Sequence, residues 1–122
     1  MSTVDWSRGT KIGPRELPPT ITTFLGAHQA RDADAAIVSY TADAVVTDDG
    51  RTYHGPDEIR AWLSRAAGEY TYTTELTRAT KIDDEHFDAL HHLEGDFPGG
   101  VVDLHYRFTL RDARIAHLVI EP

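Results

Sequence analysis

The sequence predicts an α+β fold in which about three N-terminal helices cover one face of an antiparallel sheet. Apolar residues recur at helical spacing over the first half of the chain, whereas they alternate with polar residues over most of the second half. A chain of 122 residues is one ordinary domain, long enough to bury a core of its own. Helices and strands that are segregated along the chain in this way are typical of the α+β class.

Three segments have the periodicity of amphipathic helices. After Pro18-Pro19, apolar residues at i, i+3, i+4 and i+7 predict a first helix that ends near Ala30. Asp32 is the expected N-cap of a short second helix, whose apolar spacing continues to Tyr40. Gly55-Pro56 begins the third helix. Its apolar face consists of Ile59, Trp62, Leu63 and Ala66.

Strands are predicted where polar and apolar residues alternate or where β-branched residues cluster. A short strand over residues 45–47 is followed by an Asp-Gly turn and, from residue 70 onward, by three or four further strands. The strand that starts at Val101 alternates over its full length, so one of its faces must be the face that the helices cover. That face consists of Val102, Leu104, Tyr106, Phe108 and Leu110.

Composition excludes several function classes. The net charge of −8 disfavours nucleic acid and anionic membranes as partners, and no apolar run is long enough to span a bilayer. The chain has no cysteine, which excludes disulfides and thiolate chemistry, and we expect a cytoplasmic location. Residues 1–18 do not have the pattern of a signal peptide. They predict a polar tail, pinned by Trp6, ahead of a single domain over residues 19–122.

Four segments together indicate a family. They are Phe24–Asp32, Tyr40–Asp48, Gly55–Trp62 and Leu104–Phe108. In their order and spacing the chain resembles the nuclear transport factor 2-like superfamily, which includes SnoaL-like polyketide cyclases, steroid Δ-isomerases and scytalone dehydratase. The resemblance implies a cone-shaped, curved antiparallel sheet wrapped around the helices, with a hydrophobic pocket and no cofactor. It does not by itself imply one function, because this fold hosts enzymes, ligand binders and interaction domains.

The resemblance to steroid isomerases retains the catalytic base but not the oxyanion hole. The general base of that family, at the end of the strand after the second helix, matches Asp48 without gaps from Tyr40. Its two oxyanion donors, a tyrosine and an aspartic acid, fall on Phe24 and Leu104, and the second tyrosine that supports the first falls on Leu63. Loss of one such donor typically lowers the rate by roughly 10²- to 10³-fold. Ketosteroid isomerisation is therefore not expected, and another proton transfer stays open as an alternative.

Two histidines lie on faces that otherwise look interior. His28 extends the apolar stripe of the first helix, and His91 shares strand parity with Phe87, on the side that the resemblance makes the cavity side. The candidate catalytic residues are therefore Asp48, His91 and His28, with an imidazole acting as acid or base beside the carboxylate. The expected substrate-binding walls are Phe24, Trp62, Phe87, Leu104, Tyr106, Phe108 and Leu118.

Each candidate also has a purely structural interpretation. Asp48 can belong to the Asp-Gly turn, and His28 and His91 can be core histidines with a hydrogen-bond partner. A second hypothesis is therefore a non-catalytic ligand-binding or dimerisation module, for which we expect a dry and largely filled cone. The size of the cavity depends on how deeply Trp62 and the loop over residues 95–100 intrude.

The other histidines do not predict a metal site. Neighbours such as His91 and His92 point to opposite faces of a strand, and no helical His-x-x-x-His spacing or carboxylate triad supports zinc or iron. The outward faces of two strands predict a polar patch, and the resemblance implies that this convex face forms a homodimer. The patch consists of His92, Glu94, Asp103, His105 and Arg107. The predicted function is binding of a small hydrophobic or polyketide-like molecule, with isomerase, cyclase or dehydratase chemistry.

Overall fold

A computed structural model of the chain describes residues 4–122, apart from the side chains of residues 66–69. It confirms the α+β class, since three α-helices pack on one curved sheet. The elements are β1 (Thr10–Ile12), a 3₁₀-helix (Pro14–Glu16), α1 (Pro19–Gln29), α2 (Ala33–Ile37), β2 (Tyr40–Asp48), β3 (Arg51–His54), α3 (Gly55–Glu69), β4 (Tyr72–Asp83), β5 (His86–Gly95), β6 (Val101–Arg111) and β7 (Arg114–Glu121). In the described part of the chain, no helix is long and apolar enough to cross a membrane.

The sheet has seven strands in the order β1-β4-β5-β6-β7-β2-β3. From β4 to β7 the strands form the expected antiparallel meander. The pairing of β2 with β7 is parallel, which the expectation of a purely antiparallel sheet did not include. The pairing brings Asp48 opposite Ile120, near the end of the last strand.

The second helix is shorter than its apolar spacing predicts. It ends at Ile37, and Tyr40 is already the first residue of β2, whereas the sequence pattern placed Tyr40 on the helix. The strand begins early because the backbone pairs with β7 at this point. Ile115 N donates a hydrogen bond to Ser39 O at 2.8 Å, and Tyr40 lies opposite Ile115. Tertiary pairing therefore overrides a helical pattern of only one or two turns.

The N-terminal segment is not simply a tail. Residues 10–12 add β1 to the edge of β4, and Leu17 is buried in the core. Trp6 contacts the ring of His86 edge-on at 5.8 Å between centroids, and the Arg107 guanidinium lies 5.7 Å from its ring. A strand of three residues is too short for alternation to reveal it in the sequence.

The three helices bury the inner face of the sheet. The alternation predicted for β6 is confirmed, since Tyr106, Phe108 and Leu110 are buried. In α1 the buried residues are Ile21, Phe24 and Leu25. The rings of Phe24 and Phe108 meet edge to face at 5.9 Å, both fully buried. This contact lies at the closed end of the cone, where helix and sheet fill all the space between them.

The predicted polar patch lies on the outer face of the sheet. His92 Nδ1 lies 2.7 Å from Asp103 Oδ1, and this carboxylate raises the pKa of His92. His105 Nδ1 lies 2.8 Å from Asp88 Oδ2, and Arg107 forms an ion pair with Glu121. The patch is therefore largely paired within one chain.

The turn between β6 and β7 carries strain that a single substitution should remove. Asp112 and Ala113 have φ of 53° and 62°, the left-handed geometry of a tight hairpin that favours glycine. Ala113→Gly should therefore raise the free energy of unfolding by about 0.5–1 kcal/mol in urea denaturation. Ala42→Gly, at an exposed position of β2, should lower it by a similar amount. Equal losses in the two variants would contradict the assignment of strain to Ala113.

Candidate ligand-binding and catalytic site

A cavity of about 380 Å³ lies at the end of the cone that the helices leave open. Its volume falls within the usual range for small-molecule sites. Side chains from α1, α3 and five strands line it, together with residues of the adjoining turns. They are His28, Asp48, Asp49, Trp62, Tyr70, Tyr72, Leu93, Phe97, Val102, Leu104, Tyr106, Ile120 and Pro122.

Asp48 is the last residue of β2, on the same face as the buried Ala44 and Val46. The strand parity thus directs its carboxylate to the inner side of the sheet. The Trp62 indole Nε1 donates a hydrogen bond to Asp48 Oδ2 at 2.9 Å. This bond joins the end of the strand to the middle of α3 and orients the carboxylate at the cavity.

The tight turn after Asp48 is made by Asp49 and Gly50, with φ of 54° and 74°. The pairing of Asp48 with Arg51 makes this a two-residue hairpin connection, as the sequence predicts. Asp48 itself is a strand residue, so its position is not explained by the turn alone. Asp49 forms part of the turn, and it also lines the cavity.

His28 lies in an aromatic stack at the floor of the cavity. Its ring stacks between Phe24, at 5.5 Å, and Trp62, at 5.8 Å, with interplanar angles of 11° and 18°. Burial, reinforced by the nearby His91, lowers the pKa of His28 from 6.5 to about 4. The imidazole is therefore neutral at pH 7, so it is a hydrogen-bonding group and not a proton donor of imidazolium type.

His91 lies behind the cavity wall and is not one of the lining residues. It is buried, its Nδ1 lies 3.2 Å from Ala89 O, and its ring packs 4.7 Å from that of Tyr106. Burial lowers the pKa of His91, against the opposing effects of the Ala89 carbonyl and the Asp88 carboxylate. His91 therefore contacts Tyr106, which does line the cavity, rather than the cavity itself.

Two tyrosines present hydroxyl groups in the same region as Asp48. Burial raises the pKa of Tyr106 well above its usual value, and Tyr72 and Asp48 raise it further. Burial also raises the pKa of Tyr72, where the charge of Asp48 adds to the effect and that of Arg31 opposes it. Both phenols therefore stay protonated at neutral pH and can donate hydrogen bonds.

The structure brings together part of the predicted set. Asp48 and His28 line one cavity with Trp62, Leu104 and Tyr106. The other expected wall residues are buried in the core below the cavity. They are Phe24, Phe87, Phe108 and Leu118. Phe87, Phe108 and Leu118 lie on the sheet and Phe24 lies on α1, and all four are buried where helix and sheet pack together.

Sequence reasoning did not include Tyr70, Tyr72 or Phe97 in the site. Tyr72 lies at the start of β4 opposite Gly95, and Phe97 belongs to the loop that follows β5. The available signal was the loop over residues 95–100, which was expected to affect the size of the cavity. Among the described side chains, which leave out those of residues 66–69, no cluster of three or more histidine or acidic groups could hold a metal ion.

Comparison with solved structures identifies the family. A "putative polyketide cyclase" from Sinorhizobium meliloti is 32% identical, with a TM-score of 0.83 over 90% of this chain and 100% of that chain. A Catenulispora acidiphila protein with a ketosteroid isomerase-like fold, in complex with trimethylamine, is 19% identical with a TM-score of 0.74, over 86% of this chain and 85% of that chain. A Mycobacterium tuberculosis protein in complex with estradiol-17β-hemisuccinate is 14% identical, with a TM-score of 0.70 over 84% of this chain and 90% of that chain.

No protein-family model matches the sequence, and no curated protein matches it either. The similarity to the Sinorhizobium protein nevertheless exceeds what a shared fold alone produces, because 32% identity extends over 90% of the chain. The chain belongs to the nuclear transport factor 2-like, or SnoaL-like, superfamily. This confirms the family that its four sequence segments resemble.

Burial of neutral His28 predicts a specific loss of stability in acid. Because the pKa of His28 is about 4 in the folded chain and near 6.5 when unfolded, the unfolded state binds more protons below pH 6.5. The contribution of neutral His28 to the free energy of unfolding is complete above pH 6.5 and decreases as the pH drops toward 4. Between pH 7 and pH 4.5, His28→Phe should lose about 1–3 kcal/mol less free energy of unfolding than the parent chain.

Urea denaturation at the two pH values measures this difference, and His92→Gln is a control of opposite sign. Asp103 raises the pKa of His92, so that histidine stabilises the folded state at low pH, and its removal should increase the loss in acid. An identical pH dependence in His28→Phe and the parent chain would show that His28 does not stay neutral.

Proposed function

We propose that the protein binds a small hydrophobic or polyketide-like molecule in the open cavity and transfers a proton on it, with Asp48 as the base. The observation that carries this proposal is the position of Asp48. An oriented carboxylate lies on the inner face of the sheet, at a cavity of about 380 Å³ whose other walls are mostly apolar or aromatic. A carboxylate in such a place is suited to general base chemistry.

The chemical step is removal of a proton from a carbon next to a carbonyl group. The Asp48 carboxylate takes the proton and becomes a carboxylic acid, while the electron pair of the broken C–H bond forms an enolate. Isomerisation follows if the proton returns to another carbon, dehydration if a β-hydroxyl leaves as water, and cyclisation if the enolate carbon attacks a second carbonyl. The three reactions share the first step, so the same site can support any of them.

The enolate oxygen needs hydrogen-bond donors, and the cavity supplies tyrosine hydroxyl groups. Tyr72 and Tyr106 line the cavity and stay protonated because burial and the charge of Asp48 raise their pKa. We assign them the role that Phe24 and Leu104 cannot fill, with neutral His28 as a further donor. His91 then acts as a positioning residue, because its ring packs on Tyr106.

Ligand binding without turnover is the alternative. The cavity counts against a filled cone, which is the form in which a non-catalytic module was expected. Similar proteins support binding of small organic molecules, since one carries the name of a polyketide cyclase and another holds a steroid hemisuccinate. The homodimer expected through the outer polar patch stays a prediction, which sedimentation would test.

Asp48→Asn should abolish proton transfer while leaving the fold intact. The probe is 2-tetralone, a small hydrophobic ketone with acidic α-protons that fits within the cavity volume. In D₂O, the chain should accelerate exchange of these protons for deuterium, which NMR follows directly. The amide of Asn cannot accept the proton, so catalysed exchange should fall by about 10²-fold or more.

Asp43→Asn is the matched control for this experiment. Asp43 is exposed on the same strand and forms an ion pair with Arg111, away from the cavity. Its variant should exchange 2-tetralone at the parental rate. Undiminished exchange in Asp48→Asn would remove Asp48 from the mechanism, and binding of 2-tetralone without any catalysed exchange would favour the non-catalytic alternative.

A further inference from the structure

The charged side chains that line the cavity are all of one sign. Asp48 and Asp49 are both part of the wall, and no lysine or arginine is among the residues that line this cavity in the described chain. His28, the histidine in the wall, is neutral at pH 7 because burial lowers its pKa to about 4. The charged side chains of the lining therefore favour a cation over an anion as the ligand.

Arg31, two residues beyond the end of α1, is a basic residue whose charge acts on this wall. Its Nη2 donates to the backbone O of Tyr70 at 3.4 Å, and Arg31 is not one of the residues that line the cavity. Its charge lowers the pKa of Tyr72, and this effect is larger than the opposing effect of Asp48. One cation outside the lining therefore opposes two carboxylates within it.

The wall is also unusually rich in aromatic rings. Five of the lining residues are aromatic: Trp62, Tyr70, Tyr72, Phe97 and Tyr106. The rings of Tyr70 and Phe97 meet edge to face, 6.1 Å apart, and thereby hold each other in place. The face of an aromatic ring attracts a cation, most strongly where water is excluded.

We propose that the small hydrophobic ligand of this cavity carries a cationic group, a tertiary or quaternary amine, which is bound by the aromatic wall and by Asp48 and Asp49. This inference rests on the proposed function only in that it takes the same cavity as the binding site. The apolar residues supply the surface for the body of the ligand, and they include Leu93, Val102, Leu104 and Ile120. The two carboxylates supply the charge, and the ring faces supply a surface that needs no directed hydrogen bond.

An anionic ligand fits these observations poorly. A carboxylate or phosphate would approach two aspartates with no cation in the wall to compensate, and like charges in a partly desolvated site repel strongly. A neutral ligand would contact the apolar residues of the wall, but it would not gain the electrostatic attraction that the rings and carboxylates exert on a cation. The charge of the ligand is therefore the property to test, at constant shape.

Three molecules of nearly equal shape separate charge from hydrophobicity. They are choline, its neutral carbon analogue 3,3-dimethylbutanol and the anion 3,3-dimethylbutanoate. NMR titration of the full chain at pH 7 should show choline binding about tenfold more tightly than the neutral alcohol, with the anion weakest. Equal or tighter binding of the alcohol or of the anion would overturn the proposal.

Two variants locate the effect in the wall. Phe97→Leu keeps an apolar side chain but removes a ring face, so it should weaken choline several-fold and leave the neutral alcohol nearly unchanged. Val102→Ala removes apolar surface only and should weaken both molecules alike. Loss of the choline preference in Val102→Ala, with its retention in Phe97→Leu, would contradict the aromatic contribution.

The outcomes distinguish failure of this inference from failure of the proposed function. If the neutral alcohol binds and choline shows no preference, the cavity binds small molecules but does not select cations, and 2-tetralone exchange is unaffected. If choline binds preferentially but 2-tetralone exchange is not catalysed, cation binding holds and Asp48 is not a base for that ketone. If none of the three molecules shifts a resonance of the lining residues, the inference is wrong.

Discussion

The structure depends on how far the helices cover the concave face of the sheet. Along α1, the step from Phe24 to His28 is one helical turn, or about 6 Å, and along β6 the step from Phe108 to Tyr106 is about 7 Å. The two steps run side by side, from the contact between the fully buried Phe24 and Phe108 to the contact between the partly exposed His28 and the buried Tyr106. His28 and Tyr106 already line the cavity, and Leu104, one step further along β6, continues its wall.

The chemistry of the site follows from this change in packing, from a filled core to an open cavity. His28, Tyr106 and Asp48 lie where the packing changes from complete to open, so they are at least partly buried and also line the cavity. The low polarity that lowers the pKa of His28 and raises that of Tyr106 also strengthens the effect of a nearby carboxylate. Trp62 donates a hydrogen bond to Asp48 at this boundary, and this bond connects the packing of α3 to the orientation of the proposed base.

Periodicity predicted which residues of an element face the interior. It did not predict which of these residues lie in the core and which line the cavity. The alternation of β6 and the helical stripe of α1 correctly assigned inward residues, and the ungapped family match placed Asp48 on the inner side of β2. The same patterns could not separate Phe108, which is core, from Leu104, which is wall, since both share one face. Tyr72 and Phe97 were missed because sheet curvature and a loop, rather than periodicity, bring them to the cavity.

A crystal structure with 2-naphthol would test both the proposed base and the proposed oxyanion donors, because this planar phenol resembles the enolate of 2-tetralone. The ring should occupy the cavity, with its oxygen within hydrogen-bonding distance of the Tyr72 or Tyr106 hydroxyl and the adjacent ring carbon facing the Asp48 carboxylate. A bound molecule whose oxygen points to solvent, away from both tyrosines, or a cavity without the molecule at saturating concentration, would contradict the proposed function.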